Sequence, residues 1–148
     1  YLAQWLMGDA PQSVSAALSH HDGLDDMADI RLMFPGDRVA RIHLSWRAPV
    51  RRTSTILYGD KALLEIEGDR VILTERSGRA EDLSVADAAD DSYHAVWFGK
   101  VAEDFERALT AGPTNDASST NLAEARGALA LILASREASL GGSRVLLG

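Results

Sequence analysis

The chain has 148 residues, 46% hydrophobic and 25% charged, the composition of a single soluble globular domain long enough to bury a core. Twenty-two acidic residues against fifteen basic ones leave a net charge of −7, which argues against general affinity for nucleic acid. The lack of cysteine excludes disulfides, thiolate zinc sites, iron–sulfur clusters and cysteine nucleophiles.

The sequence opens in mid-pattern. Leu2, Trp5 and Leu6 read as the end of an amphipathic helix that stops at Gly8. A helix this short with no N-cap is marginal, so the expectation is a piece of something longer. After Pro11 the apolar period changes from 3.6 to 2. Ser13 to His20 is predicted as a strand with Val14, Ala16 and Leu18 on one face, and His21-Asp22-Gly23 as a turn. Met27 to Phe34 follows, then the turn Pro35-Gly36-Asp37, then Arg38 to Trp46. In that last run Ala40, Ile42, Leu44 and Trp46 point one way and Arg41, His43, Ser45 and Arg47 the other. The pair forms an antiparallel hairpin.

Pro49 breaks the run. Thr53 to Tyr58, Ala62 to Glu67, Arg70 to Thr74 and Arg79 to Val85 are predicted as further short strands, with Gly68-Asp69 and Ser77-Gly78 as hairpin turns. Residues 81 to 91 hold five acids and no base, an acidic loop. A helical stripe then joins Tyr93, Trp97, Val101, Phe105 and Ala108, ending at Gly112-Pro113. A second helix has Leu122, Ala125, Leu129, Ile132, Leu133 and Leu140 as its expected buried side, and Arg144 to Leu147 is a last strand. The order predicts an α+β fold: an open, predominantly antiparallel sheet of about six to eight strands with two long helices on one face. Phe34, Trp46 and Trp97 are expected in the core.

No GxGxxG and no GxxxxGK[ST] occurs, so the chain is not expected to hold a dinucleotide by itself. His20, His21, Asp22, Asp25 and Asp26 crowd together, but adjacent strand residues face opposite ways, so a shared metal would need a bulge; no metal site is expected. Arg38, Arg41, Arg47, Arg51 and Arg52 form a basic run without an acid. Guanidinium forks of this kind grip carboxylate or phosphate, and the alternatives are an interface or a solvated sheet face partnered by the acidic loop. Arg51 and Arg52 flank a proline break, where loops line clefts. His94, in the first turn of a helix, can face a cleft or stand half-exposed. No catalytic nucleophile constellation is visible.

Several segments together resemble one family. Leu2-Ala3-Gln4-Trp5-Leu6-Met7-Gly8-Asp9-Ala10-Pro11 is similar to the W-L-x-G-x-x-P segment that opens the C-terminal domain of the Gfo/Idh/MocA oxidoreductases, the glucose–fructose oxidoreductase and inositol dehydrogenase relatives. Asp26 to Phe34, Gly36 and Ser45-Trp46 resemble that family's strand, glycine turn and Ser-Trp strand end. Ile56 to Leu64 resembles its I-x-G-x-x-G-x-L hairpin, with Ala62 where glycine is usual, and Ala134 to Ser139 with Gly142 and Val145 resembles its tail.

The resemblance implies that residues 1–148 form one C-terminal substrate and oligomerisation domain of an NAD- or NADP-dependent dehydrogenase acting on a sugar or polyol. The cofactor, the catalytic lysine and the D-x-x-x-H segment would belong to a Rossmann half and its boundary outside this sequence, so no catalytic or cofactor-binding residue is carried onto this chain. By itself it is expected to be inactive. Arg51, Arg52 and His94 are the candidate substrate-facing residues, and Arg41, His43 and Arg47 the candidate homo-oligomer (dimer) interface. The alternative is a non-enzymatic dimerisation or scaffold module, or a module binding a small anion. No apolar run reaches the ~20 residues of a membrane span and no signal peptide is visible, so the expected location is cytoplasmic, with neither membrane nor nucleic acid as a partner.

Overall fold

The computed structural model describes residues 1–84, 95–111 and 116–147. Helix α1 (Leu2–Met7) leads to strands β1 (Ser13–His21), β2 (Leu24–Met33), β3 (Val39–Ser45), β4 (Ser54–Tyr58), β5 (Ala62–Glu67), β6 (Arg70–Glu75) and β7 (Ala80–Asp82). Helices α2 (Ala95–Ala111) and α3 (Asp116–Gly141) and strand β8 (Val145–Leu146) follow. The class is α+β as predicted, and every pairing among the described strands is antiparallel. The eight strands, read from the sequence as one sheet, form two sheets of four, ordered β3-β2-β1-β8 and β4-β5-β6-β7. The division falls between β3 and β4, where Pro49 removes a ladder donor. The chain correspondingly clusters into two compact units, Tyr1–Ala48 with Gly112–Gly148, and Pro49–Ala111.

In the first unit, β1 and β2 join through Asp22 and Gly23, both at positive φ (51° and 79°), the conformation that an Asp-Gly hairpin turn supplies at low cost. The core lies between the sheet and the helices. Val14, Leu32, Phe34 and Ala134 form its buried cluster, and Ala3 and Met7 of α1, Ile30, Ile42 and Leu131 pack against it. Burying Val14, Leu32 and Phe34 contributes about 1.5–3 kcal/mol each.

α3 packs on β1 and β8 through small residues. Ala134, Ser135 and Ala138 are its buried positions, whereas Leu122, Ala125, Leu129, Ile132, Leu133 and Leu140, the expected buried side, are exposed. The physical reason is distance. Small side chains let the helix backbone approach the sheet, close enough for the Leu18 N–H to donate to Ser139 Oγ at 2.9 Å. The exposure of Trp46 is a second correction. Phe34 is buried as expected, but Trp46 is 87% exposed, because it stands just past β3, the edge strand farthest from β8, whereas α3 packs on β1 and β8.

The second unit is a meander. Leu57 pairs with Leu64 and Leu64 with Leu73, giving a half-buried apolar row across three strands. None of its described residues is fully buried. Of the stripe predicted on α2, Val101 and Phe105 are exposed and Ala108 is half-buried; the side chains of Tyr93 and Trp97 lie outside the described residues.

Candidate functional site

The turn between β2 and β3 runs through Pro35–Asp37, where Gly36 takes φ 71°, and the Phe34 N–H donates to the Arg38 carbonyl to close it. The hairpin is symmetrical about Gly36. Met33 pairs with Val39, Arg31 with Arg41 and Asp29 with His43. Strand alternation puts Asp29, Arg31, Arg41 and His43 on the face opposite the buried cluster. β1 adds Ser15, directly opposite Arg31. These side chains line an open depression of about 520 Å³.

The charges on this face are unevenly paired. His43 Nδ1 lies 2.6 Å from Asp29 Oδ1. Arg47, just past β3, donates through Nε to Asp26 Oδ2, and Ser19 Oγ donates to Asp26 Oδ1 at 2.6 Å. The Ser19 hydroxyl first, then the Arg47 guanidinium, hold the Asp26 carboxyl below its ordinary value of 3.8. At the β1–β2 turn, Arg136 of α3 donates to Asp25 at 2.6 Å, and His20 Nε2 lies 2.8 Å from the other oxygen. The Arg136 hydrogen bond outweighs partial desolvation and, with the charges of Arg136 and His20, lowers the Asp25 pKa.

Of the residues expected at an interface, Arg41 and His43 share the depression, while Arg47 lies beyond the strand on Asp26. Of those expected to face substrate, Arg52 pairs with Glu67 at 2.6 Å and Arg51 is exposed, both in the second unit; His94 lies outside the described residues. Arg38 is tied to Asp9 and to the Met7 and Pro35 carbonyls, fastening α1 to the β2–β3 turn. The bulge that a shared metal would need occurs between Ser19 and His20, yet His20 turns to Asp25 and His21 to Asp22, 3.6 Å away. Among the described residues no three metal-ligating side chains gather.

Sequence reasoning missed Arg31 and Ser15. The signal for Arg31 was present, since it stands as far before Gly36 as Arg41 stands after it. Chemically, the face offers several donors and one carboxylate already taken by a histidine. Guanidinium forks of this kind are donors suited to an oxyanion. Among the described residues, the glycines at positive φ stand in hairpin turns or after helices, and none leads from a strand into a helix N-terminus.

Residues 1–65 match the model of the GFO/IDH/MocA C-terminal domain, which bears out the resemblance read from the sequence. No curated protein matches the chain. Several solved structures share its fold. An oxidoreductase from Agrobacterium radiobacter, in complex with NAD+, L-tartaric acid and magnesium, is 19% identical with a TM-score of 0.71, covering 98% of this chain and 45% of that one. An aldose–aldose oxidoreductase from Caulobacter crescentus, complexed with glycerol, is 19% identical with a TM-score of 0.63, covering 98% and 44%. The WlbA dehydrogenase from Bordetella pertussis, with NADH and UDP-GlcNAcA, is 16% identical with a TM-score of 0.55, covering 99% and 41%. The chain thus spans less than half the length of each of these proteins.

Proposed function

We propose, from the match of residues 1–65 to the GFO/IDH/MocA C-terminal domain, that this chain is the substrate-side and oligomerisation domain of an NAD- or NADP-dependent oxidoreductase acting on a sugar or polyol. That match is the observation that carries the reading. The NAD+ and NADH in two of the fold neighbours support a nicotinamide cofactor, and the aldose–aldose oxidoreductase supports a polyhydroxylated substrate. A separate dinucleotide-binding domain holds the cofactor. This chain contributes polar side chains that orient the substrate: Arg51 and Arg52 beside the proline break, and His94. The open face of the first sheet, with Arg41 and His43, meets a second copy, with Arg47 at its margin.

The test is hydride transfer. The enzyme that joins this chain to its dinucleotide-binding domain is assayed with aldoses and polyols by the absorbance of reduced nicotinamide. Turnover with NAD+ or NADP+ is expected. Arg51→Ala, Arg52→Ala or His94→Ala should raise KM more than they lower kcat. The 148-residue chain itself is expected not to bind NADH. Micromolar NADH binding by that chain, or no turnover of any polyol or aldose by the joined enzyme, overturns the reading.

A further inference from the structure

One end of the second sheet carries a small basic corner. Gly59 closes the β4–β5 turn by donating its N–H to the Ala62 carbonyl at 2.9 Å. Ala62 pairs with Glu75, and the Arg76 N–H donates to the Lys61 carbonyl at 2.9 Å, so the ladder runs one pair further and sets Lys61 opposite Arg76. Like charges in that position repel. Strand alternation puts both on the face of Leu63 and Thr74, where Tyr58 stands opposite Leu63 and is 83% exposed. These residues line an open depression of about 460 Å³, the size of a small-ligand site. Among the described residues neither Lys61 nor Arg76 is in an ion pair. Of the two acids at the rim, Glu75 belongs to the opposite-facing pair with Ala62 and accepts the Ser77 hydroxyl at 3.1 Å, which leaves Asp60.

We propose that Lys61, Arg76 and Tyr58 form a binding site for an acidic sugar, one that carries a phosphoryl or a carboxylate group. The ammonium and the guanidinium offer only donors, and an anion held between them turns the cross-strand repulsion into two attractions. Tyr58 supplies an exposed ring face and a hydroxyl, an apolar body with a polar tip that suits the apolar face of a sugar ring whose hydroxyls stay in water. Thr74 adds a hydroxyl that both donates and accepts. Asp60 limits the affinity, since it repels the same anion. The five residues of β4, about 17 Å of extended chain, separate this corner from Arg51 and Arg52, and the site stands whether or not those residues face a substrate.

The test is calorimetric titration of the 148-residue chain with glucose 6-phosphate and with glucuronate, at ionic strength held constant with chloride, against glucose and inorganic phosphate as the separate halves of the ligand. Saturable binding of at least one acidic sugar is expected, tighter than either half. Lys61→Gln and Arg76→Gln should each weaken it roughly tenfold, the loss of a charge-assisted pair. Tyr58→Ala should weaken the acidic sugar and leave inorganic phosphate as it was, and Asp60→Asn should tighten both. Tighter glucose 6-phosphate assigns the site to a sugar phosphate, and tighter glucuronate to a sugar acid. The proposal is overturned if neither acidic sugar saturates, if glucose binds as tightly as they do, if the Lys61 and Arg76 variants bind as tightly as the parent, or if Asp60→Asn weakens binding. Binding that Arg51→Gln abolishes and Lys61→Gln leaves intact also overturns it, while supporting a substrate role for Arg51, so the two readings fail separately.

Discussion

Arg136, near the end of α3, donates to the Asp25 carboxylate 111 positions earlier in the chain, at the turn end of β2. The contact fastens the last long helix to the first hairpin. Because it lowers the folded-state pKa of Asp25, its stabilisation is present above the ordinary value of 3.8 and is lost as pH falls through the lower, folded-state value. Arg136→Gln should therefore destabilise the chain near neutral pH. The gap between variant and parent should close in acid. Thermal melts across that range check it, and a gap that persists at the acid end would assign the effect to packing instead.

A second helix-to-sheet tie is the hydrogen bond from the Leu18 N–H to Ser139 Oγ. Ser139→Ala leaves that partly buried donor without its partner and should cost about 1–3 kcal/mol. Ser139→Thr keeps the hydroxyl and should recover part of the loss. Urea midpoints of the two variants decide it, and equal midpoints would mean that water replaces the hydroxyl freely.

On α2, Phe105 is 65% exposed on a stripe with Phe98, Val101 and Leu109. Phe105→Ser should shift the stability of this chain by no more than about 0.5 kcal/mol. Chemical denaturation measures the shift. A loss of several kcal/mol would show that the stripe is packed in solution.

Period-2 alternation made the β2–β3 hairpin legible. The run from Arg38 to Trp46 alternates cleanly, with the Gly36 turn before it and the Pro49 break after it. The same pattern places Arg41 and His43 on one face, so part of the open depression could be read directly. Arg31 needed the register of the hairpin as well, and Ser15 the order of three strands. The buried side of α3 was not legible, since leucines and alanines occur around much of its circumference and a contact made by Ala134, Ser135 and Ala138 leaves no bulky signature. The exposure of Trp46 follows from its place beyond an edge strand, a fact of topology that local periodicity does not carry.

β1 is nine residues long, yet β8 pairs with it only at Ser13 and Val14. Beyond Val14 its outward backbone groups could recruit a strand from another molecule. α3 runs against β1, and Ser139 occupies the Leu18 N–H on that side. The helix thus serves as a guard rail against edge-to-edge aggregation, and variants that loosen it should be recognised by fibril formation before they are recognised by unfolding.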